Sequence, residues 1–144
     1  MNPIATIGYE RAPLEDVIAR LKEGGVELVI DVRAVAASRR AGFSKTILAA
    51  SLDAAGVGYM HLRDLGTPKP GREAARKGHI EEMRAIFETQ LATSAAQAAL
   101  ETAIYAAGEK RACLLCFEND PTCCHRLIVA DRMAERTGAK IIHL

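Results

Sequence analysis

Hydrophobic positions along this chain alternate between short continuous runs and stripes at helical spacing, with polar, glycine or proline positions between them. Ile4 to Ile7 is an apolar run broken at Gly8, which predicts a first strand. Pro13 then opens a segment in which Leu14, Val17, Ile18 and Leu21 recur at helical spacing, closed by Gly24 and Gly25. Val26 to Ile30 is apolar except for Glu27 and emerges at Asp31, as expected of a strand covered on both faces. These three elements make a β-α-β unit. Ser44 is placed to cap a second helix carrying Leu48 and Leu52, with Phe43 set to pack on Leu48 as a hydrophobic staple. Gly56 ends that helix, and Val57 to Leu62 reads as a third strand.

The segment Arg63 to Gly78 holds Gly66, Pro68, Pro70, Gly71 and Gly78, so it reads as a loop long enough to be functional. Ile80, Met83, Phe87 and Leu91 mark a helix. Ser94 followed by Gln97 is a capping-box signature for another, alanine-rich helix with Leu100 and Ile104, stopped by Gly108; one bent helix over both spans is the alternative. Ala112 to Phe117 is continuously apolar and is the best central strand. Asp120-Pro121 suits the N-cap and first position of a last helix running to about Gly138, and Lys140 to His143 supplies a fifth strand. Strands alternating with helices predict one domain over residues 1–144. Its expected fold is α/β: a doubly wound, mostly parallel five-stranded sheet with helices on both faces, Rossmann-like and three-layered, in the order 3-2-1-4-5. No internal repeat, low-complexity segment or linker interrupts it.

Composition supports that picture. A chain of 144 residues with 49% hydrophobic content can build a core without a membrane or a staple. The N-terminus lacks a basic region followed by a long apolar one, and no apolar run nears the roughly 18 residues of a membrane span. Cys113, Cys116, Cys123 and Cys124 crowd into one stretch, the wrong distribution for a disulfide framework, and reduced thiols in a cytoplasmic protein are the reading they support. Net charge is +1, which announces no nucleic-acid binder by bulk electrostatics. Its distribution is more telling: Arg33, Arg39, Arg40 and Lys45 form one basic stretch, and Lys69, Arg72, Arg76 and Lys77 form another against Glu73 alone. Either could be solvated loop charge or an anion-recognition surface. An anionic small molecule or a nucleic acid is the partner class implied, a membrane is not, and oligomeric state is not legible. The absence of Trp disfavours a base-stacking platform.

In open parallel sheets ligands bind beyond the carboxyl ends of the strands. Those ends are polar here: Gly8-Tyr9-Glu10, Asp31-Val32-Arg33 and Cys116-Phe117-Glu118-Asn119-Asp120. The last helix opens with Thr122-Cys123-Cys124-His125-Arg126, which would place both thiols in its first turn, where unsatisfied backbone N–H groups and the helix dipole favour a thiolate. At about 100° per residue Cys123 aligns with Leu127, Ala130 and Ala134 on the expected buried face, and Cys124 falls at its edge. Cys124 is therefore the preferred reactive thiol, with two packed small hydrophobes as the structural alternative. No cysteine has the arginine six residues later that a cysteine-phosphatase loop needs. Cys113 and Cys116 have C-x-x-C spacing but would point to opposite faces of a strand. Cys116, Cys124 and His125 are suitable metal-ligand types, yet neighbouring helical residues diverge, so no metal ligands are assigned. No Walker loop or G-x-G-x-x-G turn is present, so no cofactor is assigned either, although Asp31 sits where a dinucleotide fold places its ribose carboxylate. His61, His79 and His143 have no partner readable from spacing.

Taken in order, Thr6-Ile7-Gly8-Tyr9-Glu10, Asp31-Val32-Arg33, Ser38-Arg39, Gly42-Phe43-Ser44-Lys45, His61, Leu65-Gly66, Leu114 to Glu118, Asp120-Pro121, Cys124-His125-Arg126 and Ile142-His143 resemble the bacterial and archaeal family called domain of unknown function 488. The resemblance covers essentially the whole chain. It implies a compact α/β fold, singles out Cys124 over Cys123, and implies that Tyr9, Asp31, Arg33, Cys116, Glu118, His125 and Arg126 share a site. The chain departs at Ala36 and Ala37, where the family often has proline, a change that would loosen that loop. Such a site is expected to belong to an enzyme acting on an anionic, nucleotide-like or nucleic-acid-like substrate. Arg33, Arg39, Lys45 and Arg126 would bind the anion, Cys124 would supply a thiolate, and Glu118 or Asp31 would move protons. A non-catalytic nucleotide or nucleic-acid module, and a metal-binding or redox-sensing protein, are the alternatives.

Overall fold

The computed structural model describes residues 2–144. Among them run β1 (Ile4–Gly8), α1 (Leu14–Glu23), β2 (Leu28–Asp31), α2 (Lys45–Ala54), β3 (Gly58–His61), α3 (Lys69–Arg76), α4 (Ile80–Leu91), α5 (Ser94–Glu109), β4 (Ala112–Cys116), α6 (Arg126–Thr137) and β5 (Ile141–His143), with 3-10 turns at Arg63–Leu65 and Pro121–Cys123. The fold is α/β, as the alternating pattern predicts. All pairings are parallel, and the strand order is β3-β2-β4-β1-β5. The expected order had β1 and β4 exchanged. Each is a fully buried five-residue strand, so neither carries a local mark of which neighbour it takes.

Side chains alternate cleanly across the sheet. Ile4, Leu28, Ile30, Leu114 and Cys116 pack with α4, α5 and α6 on one face, while Ala5, Ile7, Val29, Cys113 and Leu115 pack with α1 and α2 on the other. Period-two alternation within continuously apolar strands is what two covered faces require. The C-x-x-C pair is therefore split between two cores, and burial pushes the Cys113 thiol pKa up.

Local signals account for most helix boundaries. Phe43 and Leu48 are both fully buried at the start of α2, as the staple predicts. The Ser44 hydroxyl makes no cap bond, however. It accepts from Ser38 N at 3.0 Å and donates to Ser38 O at 3.2 Å, which ties the preceding loop to the helix. Thr93, not Ser94, caps α5 by accepting from Ala96 N, and the two alanine-region helices are separate. The expected loop 63–78 is instead a 3-10 turn followed by α3. Pro68 is the N-cap and Pro70 lies in the first turn, positions where a missing N–H removes no helical bond, so these prolines start a helix. The last helix begins at Arg126, five residues later than Asp120-Pro121 implies.

Candidate functional site

The order β2-β4-β1 puts three polar strand ends side by side, with Cys116 at the tip of the central one. Beyond Cys116 the chain folds back over β1. Phe117 O accepts from both Tyr9 N (3.1 Å) and Glu10 N (2.9 Å), and Asn119 Nδ2 donates to Glu10 O at 2.6 Å. Gly8 makes this possible, because a Cβ there would lie on the Glu118 carbonyl.

At the end of β2, Asp31 and Arg33 form a buried fork. Arg33 Nε donates to Asp31 Oδ1 at 2.9 Å and its Nη2 to Oδ2 at 2.7 Å, while Nη1 reaches Tyr9 Oη (3.0 Å) and Phe43 O (2.8 Å). Tyr59 Oη donates to the same carboxylate at 2.5 Å. Burial alone would lower the Arg33 pKa, but hydrogen bonds and charge from Asp31 hold it raised. Burial, then the bond to Asp31, likewise raises the Tyr59 pKa. A raised phenol pKa adds stability that is present below the unfolded-state value of about 10 and lost as pH rises through the folded value. Tyrosinate absorbance on alkaline titration should show one late phase that is missing in Tyr59→Phe; if the wild type has no such phase, the Asp31 bond does not hold in solution.

Around the thiols the structure differs from the expected helical turn. Asp120 caps a single 3-10 turn by accepting from Thr122 N, Cys124 is extended (φ −135°, ψ 148°), and His125 is the N-cap of α6. The two cysteines thus exchange environments. Cys124 is buried at 3% exposure, while Cys123 is half-buried with its sulfur 3.6 Å from Asp120 Oδ2. Helical phase cannot be extrapolated from Cys123 because the helix has not begun. The helix start still acts on Cys124, since Arg126 N donates to its Sγ at 3.4 Å.

Three groups meet at that sulfur, and Glu118 lies near them. Cys116 Sγ is bonded to Cys124 Sγ as a disulfide, against the expectation of reduced thiols throughout: the strand tip and the residue before the helix N-cap bring these two sulfurs together with their Cα atoms 7.5 Å apart, and Cys113 and Cys123 are the free cysteines among the described residues. His125 Nε2 is 2.7 Å from Val32 O, so this nitrogen carries the hydrogen, and Nδ1 is left facing Cys124 Sγ at 3.6 Å. Burial pulls the His125 pKa down to about 4, which keeps the ring neutral at ordinary pH. Arg126 is almost fully buried; its Nη1 donates to Cys116 Sγ at 3.1 Å and to Glu118 O, and Nη2 to Asn119 O at 2.9 Å. Burial raises the Glu118 pKa and lowers that of Arg126.

Cys116, Glu118, Cys124 and His125 line a cavity of about 260 Å³, which also receives Tyr9, Arg33, Thr67 and Phe117. From α3 come Arg72 and Arg76, one helical turn apart. Of the residues expected at the site, Tyr9, Arg33, Cys116, Glu118, Cys124 and His125 line this cavity. Asp31 and Arg126 stand behind it, holding Arg33 and the 118–119 backbone respectively. Arg39 and Lys45 are exposed and do not line it. Arg72 and Arg76 take that place. Their signal is the second basic stretch, in which the two arginines are spaced four apart; its prolines and glycines predict a loop, whereas the helix that forms there gives the pair one shared face.

The family model described as "Domain of unknown function DUF488" matches residues 13–133, a span that includes every lining residue except Tyr9. No curated protein and no solved structure matches the chain. Among the described residues no helix is long and apolar enough to cross a membrane.

Proposed function

The chain belongs to the DUF488 family, and we propose that its pocket is the active site of an enzyme acting on an anionic substrate through the Cys124 thiolate. The observation that carries this reading is the relay Cys124 Sγ, His125 Nδ1, His125 Nε2–H, Val32 O, with the first separation 3.6 Å and the last 2.7 Å. A thiol needs a proton acceptor to become a thiolate, and an imidazole whose tautomer is fixed by a backbone carbonyl keeps one lone pair aimed at the sulfur. Once a thiol reductant has opened the Cys116–Cys124 bond by two electrons and two protons, Nδ1 takes the Sγ proton as the sulfur attacks, and the Arg126 N–H favours the negative charge developing there. Arg72 and Arg76 supply the positive rim. Arg72 commits Nη1 to Thr67 O at 2.9 Å, which orients its guanidinium and leaves other N–H groups for a phosphate or carboxylate. Asp31, saturated by Arg33 and Tyr59, serves as a positioning residue, and Glu118 is the carboxyl that faces the substrate.

The test is alkylation of the reduced, EDTA-treated chain by iodoacetamide with each cysteine mapped. Cys124 should react well ahead of Cys113 and Cys116, and His125→Asn should slow it by on the order of a hundredfold without changing the rate at Cys123. A phosphate-bearing competitor such as ADP should protect Cys124, and Arg72→Ala with Arg76→Ala should remove the protection. Equal, sluggish labelling of all four cysteines would overturn the reading.

A further inference from the structure

We propose that Cys116, Cys124 and Glu118 form a three-donor site for a thiophilic divalent cation of the zinc type, with its fourth position open to the pocket. This rests on the thiolate reading above and specifies what the thiolate holds. The donor atoms of these three residues all lie within 4.8 Å of one another, two on buried cysteines and one on a carboxylate whose side chain bonds no cation among the described residues. They come from the tip of β4, the loop after it and the residue before the N-cap of α6, so one small region of fold positions all three.

The two sulfurs are bonded in the structure, but their backbone spacing is wider than a disulfide usually takes, so reduction leaves room between them. Disulfide Cα atoms usually stand about 4.4–6.8 Å apart, and those of Cys116 and Cys124 are 7.5 Å apart. A tetrahedral ion with Zn–S near 2.3 Å and Zn–O near 2.1 Å needs S···O edges of about 3.6 Å and an S···S edge of about 3.8 Å. Cys116 Sγ is 3.6 Å from Glu118 Oε2, and the Cα spacing leaves room for the sulfurs to part to the second edge.

Both sulfurs also receive N–H bonds from Arg126, the Cys116 sulfur from Nη1 and the Cys124 sulfur from the backbone nitrogen. Outer-sphere donors of this kind stabilise thiolate ligands. The charges then close: two thiolates, a carboxylate, the Arg126 guanidinium and a divalent ion sum to zero in a buried place, where a residual charge is expensive. Two sulfurs select zinc over magnesium or calcium. An open fourth position beside Arg72 and Arg76 would receive one oxygen of a bound anion, which the ion would polarise. The divergence of neighbouring helical residues does not bear on this donor set, which takes Glu118 in place of His125, and Cys124 itself is extended and precedes the helix.

The test is titration of the full chain, reduced and freed of EDTA, with cobalt(II) chloride and then zinc chloride. One equivalent of cobalt should give a thiolate-to-metal charge-transfer band that zinc abolishes and magnesium does not. Metal should shield Cys116 and Cys124, but not Cys123, from alkylation. Cys116→Ser and Cys124→Ser should each weaken binding by more than the roughly 10- to 100-fold loss typical of an outer-sphere partner, while Cys123→Ser leaves it unchanged. Absence of the sulfur band, shielding that includes Cys123, or a Cys116–Cys124 disulfide persisting by mass under reductant would each overturn the proposal. Shielding is read on the wild type, so a variant that fails to fold does not block the answer. Labelling of the metal-free chain decides the thiolate reading separately: reactive Cys124 without cobalt binding removes the ion alone.

Discussion

Arg33→Leu should lower the unfolding free energy by about 3–5 kcal/mol, the usual cost of leaving one buried charge without its partner. Arg33 is 6% exposed and Asp31 fully buried, so water cannot replace the lost bonds without opening the strand end. The variant loses two bonds to the carboxylate, one to Tyr9 Oη and one to Phe43 O. Phe43 is stacked on Tyr9 with ring centroids 4.2 Å apart, so the loss spreads to the first residue of the pocket. Arg33→Lys should recover little, because an ammonium cannot make the two-pronged contact and reach Tyr9 and Phe43 as well. The double variant Asp31→Asn, Arg33→Leu should lose less than the sum of the single losses, since it removes the stranded charge. Urea unfolding of the wild type, Arg33→Leu, Arg33→Lys, Asp31→Asn and the double variant measures these differences. A loss below about 1 kcal/mol for Arg33→Leu would mean that Asp31 reaches solvent and that the fork does not organise the site.

That the fork, the thiols and the Phe117 to Asn119 loop converge was legible in the sequence even though the strand order was not. Strand ends that are polar after apolar runs mark one edge of a parallel sheet, and β2, β4 and β1 remain a contiguous trio whichever of β1 and β4 is central. The order itself depends on which crossover skips a strand, and two five-residue apolar strands carry no information about that. That Arg72 and Arg76 line the cavity is not legible in the sequence, for a different reason. Proline and glycine in Lys69-Pro70-Gly71 resemble loop chemistry, but Gly71 is buried against Thr67 and Ile86, and the helix it belongs to turns Arg72 and Arg76 toward the sulfurs. The sequence pattern puts Cys124 at the edge of a helical face, yet a 3-10 turn ends before it and aims it inward. Local sequence fixes neither the length of that turn nor the direction in which the chain leaves it.

The second large effect concerns a residue that carries no chemistry. Gly8→Ala should destabilise the chain by about 3 kcal/mol, at the upper end for an inserted methyl group, because the new Cβ meets backbone instead of a side chain that could swing away. It would lie on the Glu118 carbonyl carbon and oxygen, with Asn119 N close behind. That peptide cannot retreat freely. Tyr9 N and Glu10 N hold Phe117 O from below, and Arg126 holds the Glu118 and Asn119 carbonyls from the helix side. Whichever contact yields, Glu118 and the Arg126 guanidinium move relative to Cys116, so the variant should also lose selective alkylation of Cys124. Gly108→Ala is the matched control: nothing lies within 4 Å of its added Cβ, and alanine in a helix should stabilise by about 0.5–1 kcal/mol without touching the site. If Gly8→Ala unfolds at the wild-type urea concentration and labels like the wild type, the 117–119 loop is not seated on β1. If it loses stability and Cys124 selectivity together, one close backbone approach sets both the sheet edge and the geometry of the thiol pocket.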